Sequence, residues 1–386
     1  MLEDGARRRY AARLARFQGE QAMKIVIVAF DNDNHTAPLK WALEQAGYTV
    51  ACWGGVSWVE EQQASIFVAE NCRLMLGPHS VDPGDVVWIR RPNQPVHNPN
   101  AAEEDKNFAQ GEYKWFSWSI MYLLEKLPVR CINSYSSSRL INNKSVQLLL
   151  ARICGLNVPE TLMSNSPVAV REFLEKRRER TICKAFFPHI WKKEGSEALA
   201  VTETFEIDAD NLPADEVLTY APAIYQKMIV KDFDVRMVLL GTTVYSYSLH
   251  TPEKAIDWRQ EAGQGRMRVE PMETPPEVEQ GVLAFARQAG ITFGSLDFAV
   301  DSSTGEWWFL EINEEGQFLW LDEFNPDARI QEKFLAFLTL PEGASREEIE
   351  AKQSSFPTWK EYRESPFRET VPPEENAGAP ILSIEK

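Results

Sequence analysis

Residues 295–317 read SLDFAVDSSTGEWWFLEINEEGQ, two apolar runs with acidic residues set into them. Successive side chains of a strand point to opposite faces. Phe298 and Val300 therefore share one face, with Asp297, Ala299 and Asp301 on the other. In the second run Trp308, Leu310 and Ile312 share a face, leaving Trp307, Phe309, Glu311 and Asn313 opposite. Between the runs, SSTGE is a turn signal in which Gly305 can take a left-handed conformation. A three-residue loop of Ser303, Thr304 and Gly305 pairs Ser302 with Glu306 and sets Asp297 across from Glu311. Asn313 then lies one step beyond on the same face. Two carboxylates would approach to ~5 Å at Cβ. Like charges so close destabilise a sheet unless a cation or a proton sits between them. Oxygen ligands with a carboxamide beside them suit a hard cation, and Mg²⁺ is usual where phosphates complete its shell. Alternation alone also fits a solvated hairpin face. The continuation INEEGQFLWL favours the metal, because polar residues interrupt an apolar strand where a solvated face should end.

The rest of the chain bounds the possibilities. At 386 residues it is too long for one small core, and 44% hydrophobic with 25% charged residues describes a soluble globular protein. No apolar run approaches the ~20 residues of a membrane helix. The first residues, MLEDGARRRYAARLARFQGEQ, lack the hydrophobic stretch of a signal peptide. Five scattered cysteines without paired spacing fit reduced thiols in a cytoplasm. A net charge of −16 argues against nucleic acid as a partner. The one basic cluster, REFLEKRRER at 171–180, follows Ser166-Pro167, an N-cap and first-turn proline, and reads as a helix over 167–180.

Organisation follows from alternation. MKIVIVAF, YTVACW, DVVWIRRP and VRCINS read as strands separated by helices, a parallel α/β domain over 23–135 behind an extension at 1–22. The aromatics at 113–122 fit a buried helix face. Residues 136–226 open with SRLINNKSVQLLLARICG, a helix closed by Gly155, and continue through the strands TICKAFF, AVTETF and PAIYQKMIV. Residues 227–340 carry FDVRMVLLGTTVYSYSLHT, two strands about GTT, then a helix at about 276–289, the opening hairpin and the helix NPDARIQEKFLAFL. Residues 341–386 mix charge and proline and read as a mobile tail.

Two lysines add to the hairpin's chemistry. Lys184 lies on an apolar strand, where a lysine snorkels or pairs with an anion. Lys144 begins a helix, where a bound phosphate would reconcile its charge with the helix dipole. Together with YQKMI, FDVR, DWR, LDF and LEIN, in that order, these residues resemble the ATP-grasp ligases over residues 24–338. The resemblance implies an N-terminal α/β domain and two small α+β domains gripping ATP. It implies that Lys144 and Lys184 contact phosphates, that the hinge at Gln226, Lys227 and Met228 reads adenine, and that Asp234 holds the ribose. Arg236 and Arg259 match arginines near the γ-phosphate and acyl phosphate, and Asp297, Glu311 and Asn313 match the Mg²⁺ ligands. Lys227 stands where the hinge commonly has glutamate, and Glu261 where related glutamate ligases have asparagine. Only KKEGSEALA offers a glycine-containing phosphate loop.

Within that family, VVWIRRP, NNKSVQLLLARICGLNVPETLMSN, IDWR and LEINEEGQFLWL are similar to graspetide synthetases, the microviridin-type peptide maturases. This resemblance implies a cytoplasmic, ADP-forming ligase that activates Asp or Glu side chains of a ribosomal precursor peptide and closes ester or amide rings. It also admits a homodimer, and a leader-docking groove that includes Arg171, Arg177 and Arg178. The rival readings are a small-molecule or glutamate-adding ligase of the same fold and a nucleotide-binding module without catalysis. In 1–22, Tyr10, Leu14 and Phe17 at helical spacing among arginines fit either an unstructured extension or an amphipathic docking helix.

Overall fold

The computed structural model describes residues 23–30, 32–176, 180–187, 190–192, 199–201, 204–252 and 256–370. The apolar run at 24–28 forms β1 (Lys24–Val28), which pairs in parallel with β2 (Thr49–Cys52). Between β2 and the next strand of this sheet stand β3 (Ala64–Val68), β4 (Cys72–Leu76) and β5 (His79–Val81), an antiparallel meander. β6 (Val86–Ile89) and β7 (Arg130–Ile132) complete a parallel sheet of order β2-β1-β6-β7. Both its faces are covered, which is why Ile25 to Val28 carry no polar alternation.

β8 (Thr161–Ser164), β9 (Thr181–Lys184), β12 (Phe205–Ile207) and β13 (Ala223–Lys227) form an antiparallel sheet of order β12-β9-β13-β8. The hairpin of β10 (Ile190–Lys192) and β11 (Leu199–Val201) stands beside it in sequence. The helix Pro167–Glu175, capped by Ser166 through the Ala169 amide, supplies Val170 and Leu174 to this sheet's core. β14 (Lys231–Leu240), β15 (Thr243–His250), β16 (Arg268–Met272), β17 (Phe293–Asp301) and β18 (Trp307–Asn313) form the largest sheet, in the order β16-β15-β14-β17-β18. One face, with Val235, Met237, Leu296, Phe298 and Phe309, meets the helices Lys144–Ile153 and Pro276–Ala289. The other carries Val238, Tyr247 and Phe293 into the core shared with the N-terminal sheet and the helix Ile330–Thr339.

Several expectations need correction. SRLINNKSVQLLLARICG is two helices, Tyr135–Ile141 and Lys144–Ile153, because the Asn143 side chain accepts from the Ser145 and Val146 amides and starts the second. The aromatic helix Lys106–Leu124 buries Ile120, Met121 and Leu124, whereas Trp115 is 65% and Tyr122 48% exposed. Residues 341–370 are no mobile tail: the helices Arg346–Gln353, Trp359–Glu364 and Pro366–Thr370 bring Ile349, Phe356 and Tyr362 into the core. Tyr362 meets Trp41, and Phe356 stacks on Tyr48, both on the N-terminal side of the molecule. The extension 1–22 and the end of the tail, 371–386, lie outside the described residues. No helix among the described residues is long and apolar enough to cross a membrane.

Candidate active site

The β17–β18 hairpin carries the centre. Asp297 pairs with Glu311 and Ser295 with Asn313, as the three-residue loop required. The turn itself is one residue longer. The Asp301 amide donates to the Glu306 carbonyl at 2.9 Å and the Asp301 carbonyl accepts from the amide of Gly305, which is left-handed at φ 72°. A bulge at Leu310 restores the register before Glu311, since Phe298 lies opposite Phe309 while Asp297 lies opposite Glu311. The bulge also inverts the faces near the turn. Trp307 and Phe309 join Ile312 in the apolar core, and Trp308 moves to the carboxylate side, where the Lys227 ammonium lies 5.9 Å from its ring.

Cations surround the paired carboxylates. Arg236, next to Asp297 on β14, donates from Nη1 to Asp297 Oδ1 at 2.9 Å and from Nη2 to the Gln317 carbonyl at 2.6 Å. Arg259, at the start of a helix capped by Asp257, reaches Glu311 Oε1 at 3.1 Å and Asp297 Oδ2 at 3.4 Å. Lys144, first residue of its helix, donates to Glu311 Oε2 from the far side. Burial alone would raise the Glu311 carboxyl, but Lys144, Arg259 and Lys184 hold it well below the usual carboxylate range. Lys184 ends β9, with Phe186 in the exposed segment beyond. Burial pulls its ammonium down; Glu311 opposes this, and Lys144 and Arg259 add to it.

The remaining expected residues are distributed less simply. Gln226 is buried and donates to Thr161 Oγ1, while the Met228 amide donates to the Arg180 carbonyl across the strand edge. Asp234 shares the face of Arg236, but Lys231 holds its Oδ2 at 2.7 Å. Burial raises its carboxyl to about 6, with Lys231 opposing. Asn313 accepts at Oδ1 from the Glu315 and Gly316 amides, each at 3.1 Å, so its carboxamide is turned to the backbone. Arg171 pairs with Asp215 and Arg180 with Glu206, which neutralises part of the basic cluster. The helix ends at Glu175, and Arg177 and Arg178 lie outside the described residues, as does most of KKEGSEALA.

Sequence reading missed the supports of this centre. Four side chains grip the backbone that follows β18. Asn133 donates to the Glu314 carbonyl, Arg90 to the Glu315 carbonyl, Arg236 to Gln317, and His35 Nε2 accepts from the Phe318 amide. A Cβ at Gly316 would meet the Phe293 ring at 2.4 Å, so the turn there excludes other residues. The signal was the interrupted strand INEEGQ; of its partners only Arg236 had been singled out, for another role, and His35, Arg90 and Asn133 left none.

As a ligand set, two opposed carboxylates offering only oxygen fit a hard cation of the magnesium type. With three basic side chains on the same oxygens, the cleft holds groups that can neutralise several phosphate charges at once.

No protein-family model and no curated protein matches the sequence. Solved structures do match in shape. A RiPP-associated ATP-grasp ligase from Chryseobacterium gregarium, in complex with ADP and a leader and core peptide, superposes with a TM-score of 0.70 at 23% identity, over 84% of this chain and 99% of that one. The macrocyclase MdnC of Microcystis aeruginosa, bound with precursor peptide MdnA, gives 0.65 at 21% identity, over 82% and 99%. The ATP-grasp ligase PsnB, complexed with minimal precursor, Mg and ADP, gives 0.60 at 20% identity, over 82% and 98%. The chain thus has the fold of the ATP-grasp ligases, shared over most of its length with enzymes that bind precursor peptides.

Proposed function

We propose that this protein is an ADP-forming ligase that closes ester or amide rings in a ribosomal precursor peptide. The observation that carries this reading is the opposed Asp297–Glu311 pair ringed by Arg236, Arg259, Lys144 and Lys184, in a fold shared with peptide-bound ligases. ATP and Mg²⁺ are the cofactors this cluster suits. Asp297 and Glu311 would hold the metal, with Asn313 joining once its carboxamide leaves the Glu315 and Gly316 amides. Mg²⁺, when bound, screens phosphate charge and orients the transferred group.

The chain's own residues supply the rest. Lys144 and Lys184 are drawn from carboxylate to phosphate, and Arg236 keeps Asp297 aimed. Arg259, half-exposed at the cleft mouth, is free to follow the negative charge from the γ-phosphoryl group to the acyl phosphate. An Asp or Glu side chain of the peptide attacks the γ-phosphorus and ADP leaves. A hydroxyl or amine of the same peptide then attacks the acyl carbon, and phosphate leaves with the carboxyl oxygen. Tethering makes that second step intramolecular, which accounts for much of the rate. Lys227 and Met228 line the nucleotide end, with Trp308 beside Lys227 as a flat apolar surface. We take 23–135, 136–226 and 227–340 as the three domains of such a ligase, and Arg171, Arg177 and Arg178 as the residues that meet an acidic leader.

Mass spectrometry of a co-expressed precursor tests the reading. Each ring removes one water, ~18 Da, as expected when an internal nucleophile captures the activated carboxyl. Glu311→Gln is expected to abolish both ring formation and ADP release while the protein stays folded. Retained ADP release in that variant would refute the metal assignment. Wild-type ATP consumption with free amino acids, and none with any neighbouring precursor, would favour the small-molecule ligase.

A further inference from the structure

β18 is the outermost strand of its sheet, and among the described residues its outer side is met by one isolated bridge, Trp308 to Asn157, and by no further strand. At Ile312, between Glu311 and Asn313, a single side chain takes both outward groups. The Ile312 amide donates to Gln147 Oε1 at 3.1 Å, and Gln147 Nε2 donates to the Ile312 carbonyl at 3.0 Å. The same Nε2 donates to the Ile141 carbonyl at 2.8 Å. The carboxamide thus imitates one residue of a further strand, with the donor and acceptor spacing that a ladder would supply. Gln147 is 3% exposed, and Ile312 is buried, so water has no access to replace these bonds.

The position of Gln147 gives the contact its meaning. It lies three residues after Lys144 on the helix Lys144–Ile153, on the turn that follows. Lys144 bonds the Glu311 carboxylate, and Gln147 bonds the backbone of the next residue. One helix therefore holds the strand twice, by a charge at its first residue and by a neutral carboxamide one turn later. The charged contact must change when phosphate enters the cleft, whereas the carboxamide contact involves no group that a nucleotide needs. From the opposite end, Asn133 does the same for the neighbouring backbone, accepting from the Thr292 and Phe293 amides and donating to the Phe293 and Glu314 carbonyls.

We infer that Gln147 is a positioning residue for the metal-binding end of β18, holding Glu311 and Asn313 at a fixed distance from Lys144 so that metal and nucleotide bind cooperatively. The inference rests on the proposed function and goes beyond it by assigning a residue that touches neither ligand. Removing the carboxamide would free the Ile312 backbone to shift, carrying Glu311 and Asn313 away from the metal while leaving every first ligand present. Outer-shell contacts of this kind change metal affinity by about 10- to 100-fold.

Calorimetric titration of the full-length protein with ADP, once in Mg²⁺ and once in EDTA, measures the coupling as a ratio of two dissociation constants. Gln147→Met keeps length and volume but has no hydrogen-bonding carboxamide. It is expected to lower that ratio about tenfold, with the EDTA affinity unchanged. Leu124→Ala, a cavity in the distant N-terminal core, lowers the melting temperature and leaves the ratio at its wild-type value. If Gln147→Met folds poorly, Gln147→Glu keeps an acceptor for the Ile312 amide and gives an intermediate ratio. A wild-type ratio in either Gln147 variant would overturn the inference alone. A ratio of one in the wild type would overturn the metal reading, and this inference with it.

Discussion

At the scale of single residues, the centre depends on Arg236 more than its position in the sequence suggests. Its side chain is 4% exposed and joins two things that must stay in register, the Asp297 carboxylate and the Gln317 carbonyl of the loop after β18. A planar guanidinium can donate in both directions at once, and an ammonium on a flexible stem cannot hold that geometry. Arg236→Lys keeps the charge and loses one of the two bonds. The expected stability cost is ~1–3 kcal/mol, the range for leaving a buried polar group without its partner. Ring formation should fall by more than tenfold, because 1.4 kcal/mol of lost transition-state stabilisation already gives that factor. Denaturant unfolding and peptide turnover measured on one preparation would check both halves. Turnover at the wild-type rate would mean that Arg236 serves only the fold.

At the scale of elements, the hairpin shows what a sequence displays and what it conceals. The pairing of Asp297 with Glu311 was reached from the turn signal, and it holds because the extra turn residue and the bulge at Leu310 offset one another. The bulge itself was not legible, since one extra residue leaves no mark in composition while reversing every face between it and the turn. Trp307, Phe309 and Trp308 were misassigned for that reason. The β3–β5 meander escaped because its strands are short and half exposed, although Gly77-Pro78 marks a turn between β4 and β5. Gln147 and Asn133 were invisible in principle: a carboxamide declares nothing until its backbone partners are known. The turn itself yields a sharp expectation. A Cβ at Gly305 would meet no atom within 4 Å, so Gly305→Ala suffers only its left-handed backbone. The cost should be about 1 kcal/mol. Ring formation should match the wild type, since the bulge isolates Glu311 from changes at the turn. A loss of activity larger than the loss of stability would show that the turn and the carboxylates move together.

At the scale of the whole molecule, the C-terminal helices tie the two ends of the chain together. Residues 341–370 looked like an appendage because they are rich in charge, and the few apolar side chains they carry are widely spaced. Those few are the ones that matter. Ile349 is 0%, Phe356 5% and Tyr362 6% exposed, lodged against Tyr48, Trp41 and the helix Ile330–Thr339. Capping boxes at Ser345/Glu348 and Thr358/Glu361 give two of these helices defined starts despite their polar composition. Burying one such apolar side chain is worth ~1.5–3 kcal/mol, so three together approach the ~5–15 kcal/mol that stabilises a typical domain. Two truncations should therefore behave oppositely. Ending the chain at 370 leaves every one of these contacts in place, and its melting temperature should equal that of the full chain. Ending it at 341 strips the cover from Tyr48, Trp41 and the helix beneath, and is expected to lower the melting temperature by more than ~10 °C or yield insoluble protein. Equal melting of the 341 truncation and the full chain would mean that these helices only rest on the surface. The site should survive in proportion to the folded fraction, because none of its ligands lies beyond Asn313.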